Sequence, residues 1–524
     1  MFNYSQPYDN LCLEIEKSFF DFCQFARKIP SKTQRFTRFL HYLYDCIRSC
    51  LTCISNLQNT LKMDVEVLSR IQFAFTIAFH YIYPPLSIGL GLIMVIMEGK
   101  YLLTKEKVYE QMARFWTRIF ALTFGIGVAT GIVMEFEFGT NWATYSRYVG
   151  DVFGSALAAE GIFAFALESG FLGVLLFGWN RVSPKVHFIA TLGVFLGSMF
   201  SAVWIVIANS WQQTPAGYHI VGVGMDARAE ITDFWAMVFN PSSMDRLSHV
   251  WQGAFLSGAF LVMSVHAYYL LKGRHIELSK KAFSIALAVG IIFSLGQLIS
   301  GHSSADGVAE NQPAKLAAME GHFDSLAIAD MYLLGWVDKV NERTYGISVP
   351  GGLSFLSHWS FDEPVKGLKY FKEVDRPGQV NAVFQFYHIM IAIGMTLIGL
   401  SLFGVYLWWK NKLFDTRWIL KVFVLAAILP QVANQAGWFA AEMGRQPWVV
   451  YGLLRTSDAL SKTVTANQVW FSLIMFSVIY LLLFILFVYL LNKKIKHGPN
   501  EGDQPHDLID ERNRQKGMVS TIAK

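Results

Sequence analysis

Nine apolar runs of about 20 residues, each long enough to cross a bilayer's hydrocarbon core, constrain this chain more than any other feature. Their approximate limits are 71–97, 115–136, 153–178, 187–208, 249–271, 282–301, 381–409, 418–443 and 467–492. Backbone groups in lipid must be paired within their own segment, which a helix of this length does. The expected fold is therefore all-α: a polytopic membrane protein of about nine transmembrane helices. The composition agrees, with 53% hydrophobic and 16% charged residues among 524 and a mean hydropathy of +0.35. A net charge of +5 is too small to point to nucleic acid. No dinucleotide fingerprint, phosphate-binding loop or nucleophile elbow occurs.

The ends read differently from the body. Residues 1–62 are mixed polar and aromatic with scattered arginines and lysines, and Met63-Asp64-Val65-Glu66 looks like a second start. This segment is read as an N-terminal extension, either an upstream mis-start or a disordered lead. All five cysteines, Cys12, Cys23, Cys46, Cys50 and Cys53, lie inside it, so the body at 63–500 can build no disulfide or cysteine metal site. Residues 501–524 form a polar tail.

Basic residues mark alternate loops. Lys100, Lys105, Lys107 and Arg114 follow the first run, Lys272, Arg274, Lys280 and Lys281 the fifth, and Lys493, Lys494 and Lys496 the ninth. The positive-inside rule then places the odd-numbered loops and the C-terminus on the cytoplasmic side.

The third run carries two carboxylates, Glu160 and Glu168. On a regular helix, positions eight apart lie about 80° apart around the axis and about 12 Å along it, so both acids can face one bundle interior at two depths. An ionisable group in a membrane span is costly, which makes a proton relay, an ion path or a ligand the default reading. The orientation sets His80, Glu160, His249, Met390 and Glu442 at similar depth toward the outer side, with Glu168 deeper. Imidazole, thioether and carboxylate together suit haem iron. His266, on the same run as His249, lies too far toward the other side to join them.

Several motifs resemble subunit I of the cytochrome bd quinol oxidases. They are Leu68-Ser69-Arg70-Ile71-Gln72-Phe73-Ala74-Phe75 before His80, Met134-Glu135-Phe136-Glu137-Phe138-Gly139-Thr140-Asn141-Trp142, the acids at 160 and 168, Ser201-Ala202-Val203-Trp204-Ile205, and Gly444-Arg445-Gln446-Pro447-Trp448. The resemblance runs in order from Met63 to about Lys496. It implies that His249 and Met390 ligate the low-spin haem b558. His80 and Glu442 would each serve one of the two high-spin haems, b595 and d, in an order left open. Glu160 would stand beside them at the oxygen-reducing site, Glu168 and Ser201 on an inward proton path, and Arg445 near a haem propionate. In the loop at 302–380, Lys315 and Glu320 resemble the family's quinol-loop motif, although a lysine and an acid five apart also suit an ordinary solvated helix. His388, two residues before Met390, stands where some relatives carry arginine and leaves a bis-His site as a minor alternative.

The implied activity is quinol:oxygen oxidoreduction, with quinol oxidised at the outer face, O2 reduced to water with cytoplasmic protons, and proton motive force generated by charge separation. The resemblance also implies a bacterial cytoplasmic (inner) membrane location, a second hydrophobic subunit (subunit II) and a small single-span accessory subunit. Two other classes fit the bare residues: a haem-free proton-coupled transporter using Glu160 and Glu168, and a dihaem electron carrier without oxygen chemistry.

Overall fold

The structure, a computed structural model, describes residues 64–499 apart from 327 and 362. The expected extension at 1–62 with its cysteines, the start at Met63 and the polar tail at 501–524 lie outside the described residues.

The body is helical, as its apolar runs require, and proline and polar caps set where helices begin. α1 (Val65–His80) gives way to α2 (Tyr83–Thr104) at a two-residue turn just before Pro84-Pro85, because proline lacks the N–H a continuing helix needs and is tolerated in a first turn. α3 (Lys107–Thr140) leads through the short α4 (Ala143–Tyr148) to α5 (Gly150–Ala159). A π turn over Glu160–Phe165 separates α5 from α6 (Ala166–Phe177). α7 (Pro184–Gln213) starts at Ser183, whose hydroxyl accepts from the Val186 N–H, a standard use of serine at a helix start. After the small α8 (Phe234–Val238) come α9 (Ser243–Leu271) and α10 (Ile276–Asn311).

The loop that follows carries α11 (Pro313–Glu320), the hairpin of β1 (Met331–Asp338) and β2 (Arg343–Val349), and α12 (Gly352–His358). α13 (Val380–Trp409) returns through the bundle. α14 (Arg417–Ala426) and α15 (Leu429–Arg445) are one run interrupted just before Pro430, and α16 (Ala466–His497) opens on a Thr465–Gln468 capping box.

Among the described residues, eight helical stretches are long and apolar enough to cross a membrane. The ninth expected span is the α5–π–α6 stretch, whose three helical pieces run without a gap from Gly150 to Phe177. The π turn corrects one expectation. Its i→i+5 bonding widens the helix locally, so the 80° offset calculated for Glu160 and Glu168 on a regular helix does not hold.

α9 is the central helix and is buried along most of its length. It meets α2 at backbone distance, since a Cβ added to Gly89 would stand 2.3 Å from the Ala254 carbonyl oxygen and one at Gly258 would strike the Gly89 carbonyl carbon. Small residues permit such approach where lipid gives helices no hydrophobic reason to associate. α10 and α15 each pack on both α9 and α13. These four helices line the cavity described below. The hairpin and α11 lie at the end of the bundle where α10 and α15 finish and α9 and α13 begin, called here the hairpin end.

Candidate functional site

The helices α9, α10, α13 and α15 line a partly open cavity of about 430 Å³, within the size range of cofactor and ligand sites. His249 from α9 and Met390 from α13 both line it, as do Lys315 and Glu320 from α11. Four residues singled out in the sequence, from three separate elements, therefore share one space. Two glycines keep room beside the two candidate ligands. A Cβ on Gly437 would lie 2.7 Å from the Met390 Sδ, and one on Gly301 would lie 3.5 Å from the His249 Cε1. Ser300 Oγ stands 3.1 Å from His249 Nδ1, and the Gln297 amide nitrogen 2.9 Å from Nε2.

The donor set fits haem. A porphyrin supplies four nitrogens of its own, and an imidazole nitrogen from His249 and a thioether sulfur from Met390 are the donors this cavity could add. Among the described residues no three His, Cys, Asp or Glu side chains gather as a bare metal ion requires. The cavity wall also carries Arg246, whose buried Nε has no partner, which suits the carboxylates of a porphyrin.

Lys315 and Glu320 depart from the solvated-helix reading: they are 2% and 5% exposed. Lys315 Nζ donates to Gln213 Oε1 at 2.9 Å and to Gln312 Oε1 at 3.2 Å. Burial, and then the nearby Arg246 charge, hold its ammonium pKa well below the usual lysine range. Burial raises the Glu320 carboxyl to about 7, opposed by a hydrogen bond with Tyr387, and its Oε2 has no partner. A buried acid that titrates near neutrality can accept a proton from a substrate hydroxyl.

Glu442 lies behind this wall in a network of its own. Its Oε1 accepts from Asn209 at 3.2 Å and Gln213 at 3.1 Å, and its Oε2 from Arg445 Nη2 at 2.5 Å. Arg445 also donates to Gln212, and Arg246 donates to Asn209 while its guanidinium lies over the Trp438 ring. Gln213 thus touches both Lys315 and Glu442, joining the cavity wall to the second carboxylate site.

The remaining expected residues are brought together only in part. Ser201 donates to Glu160 Oε1 at 2.5 Å, so these two form a pair. Glu168 is buried on α6. His80 is close to Thr130 Oγ1, at 3.0 Å, and packs against Gly131, where an added Cβ would be 3.2 Å from the ring.

His388 is not in the cavity wall. Its Nδ1 lies 2.8 Å from the Phe384 carbonyl and its Nε2 2.7 Å from the Tyr332 carbonyl, so the ring is turned toward the hairpin strand and not toward the cavity that Met390 lines. His266 is satisfied, accepting from Trp116 Nε1 at 3.1 Å and lying 3.2 Å from Ser279 Oγ. Sequence reasoning missed Arg246, Gln213, Gln297 and Tyr387. Only Arg246 left a signal, three residues before His249 and so on the same helix face.

Comparison with known proteins follows the same lines. The family model described as "Cytochrome bd terminal oxidase subunit I" matches residues 68–499. The cytochrome bd ubiquinol oxidase subunit 1 of Bacillus subtilis is 40% identical over 456 residues, covering 85% of this chain and 96% of the relative. The cytochrome bd-II ubiquinol oxidase subunit 1 of Escherichia coli is 36% identical, covering 84% of this chain and 99% of the relative. A solved structure, the bd oxidase from Geobacillus thermodenitrificans, superposes with a TM-score of 0.77 at 29% identity, covering 83% of this chain and 99% of that one.

Proposed function

Because this chain belongs to the cytochrome bd terminal oxidase subunit I family, we propose that it is the haem-carrying subunit of a terminal quinol oxidase, with His249 and Met390 holding haem b558. The observation that carries this reading is the single cavity lined by His249, Met390, Lys315 and Glu320. His80 and Glu442 each hold one of the two high-spin haems, b595 and d. When bound, the haems supply electron transfer and O2 reduction.

The chain's own residues bind the quinol and handle its protons. Glu320, buried and titrating near 7, accepts a proton from the quinol hydroxyl. Lys315, held by Gln213 and Gln312, orients the ring oxygen. Arg445 and Arg246 balance carboxylate charge on the Glu442 side. Glu160, hydrogen-bonded by Ser201, holds a proton at the oxygen-reducing site, and Glu168 passes protons toward it from the opposite end of the bundle. The positive-inside rule makes the hairpin end external and the C-terminus cytoplasmic, so protons released at Glu320 and consumed near Glu160 separate charge across a bacterial cytoplasmic membrane. A second hydrophobic subunit and a small accessory subunit complete the assembly.

The test is a reduced-minus-oxidised absorption spectrum of the purified complex with quinol-driven O2 uptake. Low-spin and high-spin haem bands with quinol-dependent uptake support the reading. Absence of haem bands makes the chain a transporter, and low-spin bands without O2 uptake make it an electron carrier.

A further inference from the structure

The hairpin of β1 and β2 has one face packed and one face bare. Gly335 and Val337 face α13: Val337 is buried, and a Cβ on Gly335 would lie 3.3 Å from the Phe384 ring. The opposite face presents two cross-strand pairs, Leu334 with Ile347 and Trp336 with Tyr345. These four are 64, 65, 62 and 50% exposed, respectively. Such a patch on a two-stranded hairpin in water would be an aggregation hazard.

Its level relative to the bundle is set by three bonds to α13. The Val337 N–H donates to Asn381 Oδ1 at 3.0 Å, Gln385 Nε2 donates to the Gly335 carbonyl at 2.7 Å, and His388 Nε2 donates to the Tyr332 carbonyl at 2.7 Å. From Asn381 to His388 is about 10 Å of helix rise. The 30-residue α13 is about 45 Å long against a hydrocarbon core of about 30 Å; centred on that core it leaves about 7 Å of each end among headgroups, which puts His388 just below them. β1 thus runs beside a membrane-spanning helix down to the boundary between headgroups and acyl chains.

The face of α13 that carries the strand continues past it as apolar surface. Ala392, Met395, Gly399 and Leu402 follow Asn381, Gln385 and His388 at helical spacing, and all four are exposed. Whatever solvates that stripe also meets the hairpin.

We propose that the bare face of this hairpin is a membrane-interfacial surface, resting in the headgroup–acyl boundary of the leaflet on its own side. Trp and Tyr are the residues favoured at that level. Arg343, whose guanidinium lies over the Tyr345 ring, supplies the cation that reaches up to lipid phosphates. Lipid is favoured over a second subunit because Ile391, Met395 and Ile398 of α13 also line the cavity, and a membrane-borne quinol needs that side unsealed. That last step rests on the quinol reading, whereas the depth and continuity of the patch do not.

The test places a nitroxide at Ile347→Cys, with Lys339→Cys near the hairpin turn as the aqueous reference, in a chain whose five cysteines are serine. The assembled complex is studied in lipid nanodiscs. Collisions with dissolved O2 and with a water-soluble nickel chelate are compared by power saturation. The O2-to-nickel collision ratio at 347 is expected to exceed that at 339 by five-fold or more. Equal ratios put the face in water and overturn the proposal, as does a label shielded from both agents, which means protein covers it. A photo-crosslinking phenylalanine analogue in place of Trp336, in the otherwise native chain and membrane, gives a second readout. A lipid-sized mass increment supports the proposal, and a cross-link to another polypeptide overturns it.

Discussion

Gln213 links Lys315 to Glu442: its side-chain oxygen accepts from the Lys315 ammonium at 2.9 Å, and its nitrogen donates to the Glu442 carboxylate at 3.1 Å. One amide, at the last residue of α7, thus joins the buried lysine of α11 to a candidate haem ligand. Glutamate in its place keeps the acceptor and removes the donor, setting a second carboxylate against Glu442. Gln213→Glu is therefore expected to perturb the high-spin haem spectrum and quinol turnover together, whereas Gln312→Ala, which removes only the other acceptor of Lys315, should act on turnover alone. Haem spectra and quinol-driven O2 uptake of the two variants check this.

Glu320 sets a pH dependence. Its carboxyl is raised to about 7 by burial, so below that pH it holds a proton and cannot accept one. Quinol kcat/KM is expected to rise as pH climbs through about 7, and Glu320→Gln should lower the rate at least ten-fold and flatten that limb. For stability the sign is opposite. The folded state keeps this proton where the unfolded state has lost it, so the group's contribution falls between the ordinary glutamate pKa and about 7. The measurement is kcat/KM against pH for both proteins, with thermal stability recorded alongside.

The paired acids should differ in kind. Glu160 is held by Ser201, whereas Glu168 is buried on the next helical piece. Glu160→Gln is expected to change the high-spin haem spectrum as well as turnover. Glu168→Gln should leave haem content intact and slow proton-coupled charge movement after O2 addition, because an amide keeps the shape without relaying a proton. Normal charge movement in Glu168→Gln contradicts the path.

Breaking the ion pair of Arg445 with Glu442 tests whether it is structural support for a ligand. Arg445 is 5% exposed and Glu442 33%, so Arg445→Met strands a partly buried carboxylate at about 2 kcal/mol, below the 3–5 kcal/mol of a fully buried pair. Expected outcomes are a lower melting temperature and loss of one high-spin haem by pyridine haemochrome assay, with partial rescue by Arg445→Lys.

The spans were legible because lipid leaves the backbone few alternatives, and the apolar runs mark their own limits to within about three turns, the largest difference being 282–301 against the helix Ile276–Asn311. What was not legible depended on departures from a regular helix or on partners distant in sequence. The π turn at Glu160–Phe165 has no compositional signature and altered the relation of Glu160 to Glu168. Lys315 and Glu320 look like a solvated pair until α7, α13 and α15 close around them. His388, two residues from Met390, shares no face with it and instead ties the hairpin to α13, a role visible only once Tyr332 is known to lie alongside. The residue types that line the cavity were readable in the sequence; the buried partners of Lys315 and Glu320 were not.

His249 and Met390 line one cavity, and the proposed function has them hold one haem there. Gly437→Ala probes it from the side, since its Cβ would stand 2.7 Å from the Met390 sulfur and should weaken the low-spin signal by displacing the thioether. The direct measurement is the reduced-minus-oxidised spectrum of Met390→Leu in the assembled complex. Leucine fills the volume but offers no lone pair, so the account predicts loss of the low-spin b-type band with the high-spin bands retained. A low-spin band of native position and amplitude in that variant would contradict it.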